Sequence, residues 1–230
     1  MSIMKCNFLI LIFLVSFSLT GDDVTEYKAK YQFDSDEISI TGIREFRKTN
    51  DAYELKFKAS NFIVSMFFSS VFEIEDTGIK SLKYDINIKP KFLKRDQSID
   101  FNYQNQEVIS SGKNTWKSKF NSNEVTVDPL NAQIMIRKNL KHSLNSFSLN
   151  LINMQKGNIE KYNYVVTGKS ACEFNEIDYN CIILERVRDG SNRKTTYYLA
   201  EELDFMFLKI TDEGDDWKNT LELKEILSFG

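Results

Sequence analysis

Leu82-Lys83-Tyr84-Asp85-Ile86-Asn87-Ile88 sets the reading of this chain. Apolar and polar residues alternate with period two, as in a strand with one face on a core and one in water, because successive side chains point to opposite faces. Tyr53-Glu54-Leu55-Lys56-Phe57-Lys58 does the same. Strand signals recur on either side: Tyr27 to Phe33, Ile38 to Phe46, Tyr53 to Ala59, Phe62 to Ile74, Ile79 to Ile88 and Ile99 to Tyr103. Between them stands turn chemistry: Thr49-Asn50-Asp51, Asp76-Thr77-Gly78, Ser110-Ser111-Gly112 and Asn121-Ser122-Asn123. Lys89 to Ser98, charged and holding Pro90, reads as a loop.

The second half repeats the pattern in Ser146 to Asn153, Ile159 to Thr167, Cys181 to Val187, Thr195 to Leu199, Phe205 to Ile210 and Thr220 to Ile226. Consecutive strands on short turns make an antiparallel meander, and one this long must curl or close to manage its edges. One helix interrupts the series at about residues 129–141. Asp128 suits its N-cap, Pro129 its first turn, and Lys138, Lys141 and His142 its negative C-terminal end. Its apolar stripe, Leu130, Ile134, Met135 and Leu140, is ragged. The expected fold is all-β: a strongly curved antiparallel meander sheet or partly open barrel, with one short helix packed against it.

Residues 1–21 read as a cleaved signal peptide. Lys5 supplies the positive charge, an apolar run from Phe8 to Val15 follows, and small residues stand at Ser18, Thr20 and Gly21 before Asp22-Asp23. The run is short for a membrane span, and no later stretch approaches eighteen apolar residues. Residues 22–230 are expected to form a single exported β domain, periplasmic or secreted, with no lipid anchor and no transmembrane span. The chain carries 30 Lys plus Arg against 33 Asp plus Glu, a formal net charge of −3, and the leader removes one more cation. No cationic excess is left to replace condensed counterions, so nucleic acid is not an expected partner.

Order and spacing of several short motifs give a resemblance to a known family. These are Tyr27-Lys28-Ala29-Lys30-Tyr31, Gly42, Asp128-Pro129-Leu130-Asn131-Ala132, Tyr162-Asn163-Tyr164-Val165-Val166-Thr167-Gly168, Thr195-Thr196-Tyr197-Tyr198-Leu199, Phe205 to Ile210, and the turn at Gly214. From Tyr27 to Leu227 the chain resembles the bacterial envelope family called domain of unknown function 3108. That resemblance implies an antiparallel β protein of the periplasm whose biochemical role is unassigned, and it adds no catalytic residues to the reading.

Cys6 leaves with the leader, while Cys172 and Cys181 remain. They flank Glu173 to Asn180, which reads as a polar insert between two strands, and an oxidising compartment favours a cross-strand or hairpin-closing disulfide between them. Their spacing is far from Cys-x-x-Cys, and zinc would need two further good ligands in a chain with one histidine. That histidine, His142, stands at a helix end, and no Gly-x-Ser-x-Gly or phosphate-cradling loop accompanies it. Acidic pairs such as Asp22-Asp23 and Asp215-Asp216 read as solvated termini and turns. No catalytic, metal or cofactor site is assigned, and the protein is not expected to be an enzyme.

Phe62-Ile63-Val64-Ser65-Met66-Phe67-Phe68-Ser69-Ser70-Val71-Phe72 is the most suggestive stretch. As one strand it is apolar on both faces, which fits either burial on both sides or an apolar groove lined by Phe62, Ile63, Phe67 and Val71. The expected function is noncatalytic binding or carriage of a lipid, acyl-chain or glycan ligand in the cell envelope. The alternative is an assembly factor meeting an envelope protein through a sheet edge or surface patch.

Overall fold

The structure, a computed structural model, describes residues 24–76, 78–89, 96–188 and 190–230, so the leader lies outside it. Eight strands form a first meander: β1 Tyr27–Asp34, β2 Ser39–Lys48, β3 Tyr53–Ser60, β4 Ser65–Glu75, β5 Gly78–Lys89, β6 Gln97–Asn102, β7 Glu107–Gly112 and β8 Trp116–Lys119. After β9 (Thr126–Val127) and helix α1 (Asn131–Lys141) comes a second: β10 Ser146–Ile152, β11 Ile159–Phe174, β12 Ile177–Val187, β13 Lys194–Ala200, β14 Met206–Glu213 and β15 Lys218–Phe229. All belong to one 15-stranded sheet ordered β8-β7-β6-β5-β4-β3-β2-β1-β15-β14-β13-β12-β11-β10-β9. The two meanders meet where β1 pairs antiparallel with β15, from Tyr27↔Phe229 to Asp34↔Thr220. The one parallel pair among the described residues is β9 with β10.

The sheet curls until its far ends approach each other, and side chains join them. The Met154 carbonyl, in the β10–β11 turn, accepts from Gln97 Nε2 at 2.7 Å and Trp116 Nε1 at 3.2 Å. Ser81 Oγ on β5 donates to the Thr126 carbonyl of β9 at 2.7 Å. Among the described residues no ladder closes the ring, so the expected curved, partly open sheet is the one observed. The edges are short: four residues in β8, two of them lysines, and two in β9. Such edges are poor templates for adding a foreign strand.

Alternation fills the concave face. On β2, Ile40, Gly42, Arg44 and Phe46 point inward; on β4, Met66, Phe68, Ser70 and Phe72 do. Phe46 and Phe72 stack with ring centroids 6.2 Å apart, and Tyr53 stands 5.6 Å and 6.2 Å from them. Helix α1 lies inside the curl against β4, β5 and β10. That placement explains its ragged stripe. Eight of its eleven residues are buried, among them Asn131, Arg137 and Lys138 as well as Ile134, Met135 and Leu140.

The helix start is held by a reciprocal pair. Asp128 Oδ1 accepts from the N–H groups of Leu130 (2.7 Å) and Asn131 (3.0 Å), and Asn131 Oδ1 accepts from the Asp128 N–H (2.8 Å). Asp128 is fully buried, with Ser70 Oγ donating to its Oδ2 at 2.6 Å. Burial pushes its carboxyl up to about 6, against the opposing pull of Ser70, Asn131 and Leu130. An acid with a folded pKa above its unfolded one adds stability that is full below the unfolded value and lost as pH rises through the folded one. Here the window runs from pH ~4 to ~6, and the ionised form forgoes roughly 3 kcal/mol at neutrality. Asn caps helices as well as Asp, and its amide can donate to Ser70 Oγ. Asp128→Asn should therefore raise the melting temperature at pH 7 and match the parent at pH 4; a variant less stable at pH 7 than at pH 4, relative to the parent, would contradict this.

Three local readings change. Asn61 Oδ1 accepts from the N–H groups of Ile63 and Val64, an Asx turn that ends β3 and keeps Phe62 and Ile63 out of β4. Ser110-Ser111-Gly112, read as a turn, belongs to β7, where Ser110 is buried and donates to the Asn114 carbonyl. The segment Glu173 to Asn180 continues the two strands instead of forming an insert. Asn175 and Glu176, at φ of 52° and 63°, make a two-residue turn of left-handed type between β11 and β12. Pairing with β10 stops at Val165 and pairing with β13 at Cys181, so the tip beyond is a two-stranded arm. Isolated ribbons are marginal in water. The Cys172–Cys181 disulfide, with Cα atoms 5.8 Å apart, staples this one at its base, as the sequence led one to expect.

Candidate functional site

The turns β1–β2, β3–β4 and β14–β15 share one end of the curled sheet, as the registers of β1 with β2 and β15, and of β3 with β4, require. A cavity of about 610 Å³ opens there and runs inward to α1. Its walls are Phe33 of β1, Phe57 of β3, Met66 and Phe68 of β4, Tyr84 and Ile88 of β5, and Leu221 of β15. Pro129, Leu130 and Gln133 at the helix start form its inner side, and Ser35, Asp36, Glu37, Trp217 and Asn219 its rim. Each wall residue is the inward member of its strand's alternation, so the pattern that builds the core also builds the cavity. Gly42 makes room for it. A Cβ there would stand 2.5 Å from the Phe57 ring and 2.8 Å from Ala59 Cβ, so any larger residue would push the ring aside.

Besides Asp36 and Glu37 at the rim, one charged side chain lines this space from inside the curl. Arg44 is 1 % exposed and lies on the inward row of β2 between Gly42 and Phe46. Its Nη2 donates to Gln133 Oε1, and its guanidinium carbon lies 5.7 Å from the Tyr31 ring centroid and 5.8 Å from that of Phe207. Among the described residues its Nε has no hydrogen-bond partner, and no carboxylate forms an ion pair with it. The nearby Tyr84 hydroxyl is held well above its ordinary pKa by burial and, secondarily, by the Asp128 carboxylate, so it stays neutral.

On another side of the helix start a second cavity, about 510 Å³, is polar. Tyr162, Arg186, Arg193, Glu160 and Asp212 line it, and the Arg186 guanidinium lies 4.7 Å from the Tyr162 ring centroid. A depression of about 640 Å³ beside Val24–Lys28 mixes charged Lys28, Glu45, Arg47 and Lys48 with Val24, Tyr27, Phe46 and Tyr53.

The structure does not gather the four residues singled out from sequence. Phe62 and Ile63 are fully and largely exposed in the β3–β4 turn, at the cavity's end of the sheet. Phe67 and Val71 lie on the convex face of β4, with Lys58 and Asn87 beside Phe67, and Glu54 and Lys83 beside Val71. Their strand neighbours Met66 and Phe68 line the cavity instead. Arg44 was missed, although its parity with Ile40 and Phe46 marked a cation on an apolar row. His142 stands exposed at the helix C-terminus, and among the described residues no cluster of three or more His, Cys, Asp or Glu could hold a metal.

No family model matches the chain, and no curated protein matches it. Among solved structures it is similar to a beta-barrel-like protein of domain of unknown function DUF1849 from Brucella abortus. The two share 12% identity, with a TM-score of 0.56 over 88% of this chain and 97% of the other. At that identity the likeness is one of fold: the curled, barrel-like sheet recurs in an independently determined protein.

Proposed function

We propose that this is an exported, noncatalytic binding protein that carries a lipid or acyl chain in the cavity between the concave face and α1. The observation that supports it is the cavity itself, walled by Phe33, Phe57, Met66, Phe68, Ile88 and Leu221 and open at one end of the sheet. The disulfide suits an oxidising compartment, as does the leader reading and the resemblance to the envelope family. No helix among the described residues is long and apolar enough to cross a membrane. The glycan reading has its own support in the second cavity, where Tyr162 offers a ring face and Arg186, Asp212 and Glu160 offer hydrogen-bonding groups. Edge-to-edge assembly is less well served, given the short β8 and β9.

N-phenyl-1-naphthylamine, a neutral apolar dye, provides the test. It should fluoresce on binding the protein, and Phe68→Ser should weaken that binding about tenfold or more, since the ring supplies wall area worth roughly 1.5 to 3 kcal/mol. Phe67→Ser, one residue away on the convex face, should leave binding unchanged. Equal losses in both variants, or no binding by the parent, would overturn the reading.

A further inference from the structure

We infer that the ligand of this cavity is an anionic amphiphile whose acid head group enters first and pairs with Arg44. The inference rests on the carrier reading above and adds the ligand's charge and orientation. A guanidinium removed from water needs a counter-ion and several acceptors, and residues of this kind are almost never fully buried unless paired. Arg44 has one amide oxygen, two ring faces and an orphaned Nε. The other buried guanidinium makes the contrast. Arg137 is also fully buried, but Asp204 supplies it a carboxylate at 3.3 Å and a backbone carbonyl at 3.0 Å, and Thr25 supplies a second carbonyl at 3.2 Å. Each of the two guanidiniums thus keeps one unpartnered nitrogen, but the fold gives Arg137 a carboxylate and, among the described residues, gives Arg44 none, and Arg44 is the one that faces the apolar cavity.

A carboxylate or phosphate monoester would complete it, since a planar guanidinium presents a fork that fits two anionic oxygens. The rim sets the orientation. Asp36 and Glu37 stand at the mouth, so an acid left there would meet like charge, whereas the apolar walls between mouth and floor suit a chain. From Ser39 at the start of β2 to Arg44 the strand advances five residues, about 17 Å at the usual rise, a span suited to an extended alkyl tail.

Binding of 11-(dansylamino)undecanoic acid should be compared with that of its methyl ester, which keeps the chain and loses the charge. On the parent protein the acid should bind about tenfold to a hundredfold more tightly, the usual worth of a charge-assisted hydrogen bond. Arg44→Met should bring the acid down to the ester's affinity, and Arg44→Lys should keep part of the difference. Displacement by dodecanoate or by dodecyl phosphate then assigns the head group to a carboxylate or a phosphate. Equal binding of acid and ester by the parent overturns the inference and leaves the carrier reading standing, an outcome independent of whether the variants fold. Binding of neither removes both.

Discussion

Asp204→Ala should destabilise the protein by about 3 kcal/mol, because it strands a buried cation. Asp204 closes the turn between β13 and β14, with φ of 50°, and its carboxylate gathers three partners. Oδ2 accepts from the Thr25 N–H at 2.7 Å and from Arg137 Nη2 at 3.3 Å, while Oδ1 pairs with Lys141 at 3.0 Å. One side chain thus ties the chain's start, the helix and the second meander together. Arg137 is fully buried, its guanidinium 5.3 Å from the Tyr27 ring centroid, with Nη1 already unpartnered. Burial draws its pKa down and Asp204 helps to hold it charged, so removing the carboxylate leaves the desolvation cost without its compensation. Arg137→Met, an apolar side chain of similar length, should cost less, and the two changes together should cost less than their sum by about 2 kcal/mol. Urea denaturation of the four proteins measures that coupling. Strict additivity would show that the pair contributes nothing beyond its separate contacts.

Alternation made the fold legible. Twelve runs seen in the sequence fall on strands, and Asp128, Pro129 and the basic end placed the helix within two residues of its assigned start. What alternation could not disclose is pairing between distant strands. Nothing local to Tyr27-Lys28-Ala29-Lys30-Tyr31 says that it lies against Leu223 to Phe229, because such pairing is decided by closing the whole sheet. The missed strands β7, β8 and β9 are short or polar, and a hydroxyl-rich strand such as Glu107–Gly112 shows no clear period. At the site the error was one of face. Phe62 to Phe72 reads as a single strand, yet Asn61 opens a turn held by its side-chain oxygen and by its own N–H donating to the Val64 carbonyl. Sequence showed that β4 is apolar on both sides without showing which side met the cavity, since that depends on how the sheet curls. Arg44 was legible by parity alone, as the charged member of the row Ile40, Gly42, Arg44, Phe46.

Phe72→Ala should cost about 3 to 5 kcal/mol and leave ligand binding by the folded protein unchanged. Phe72 shares the inward row of β4 with Phe68, four residues and about 13 Å further along the strand. Its surroundings differ entirely. Phe72 is 0 % exposed and packs between Phe46 and Tyr53, so truncation opens a void that three strands would have to move together to fill. Phe68 borders space that is already open, so Phe68→Ser removes wall area without creating a new void and should cost far less stability. The two variants separate scaffold from site on one face of one strand. Denaturant titration should show the large loss for Phe72→Ala, and the dye titration, run where that variant remains folded, the large loss for Phe68→Ser. If Phe72→Ala instead weakened dye binding as much as Phe68→Ser, the ligand would be reaching the aromatic cluster, and the cavity under α1 would not be its boundary.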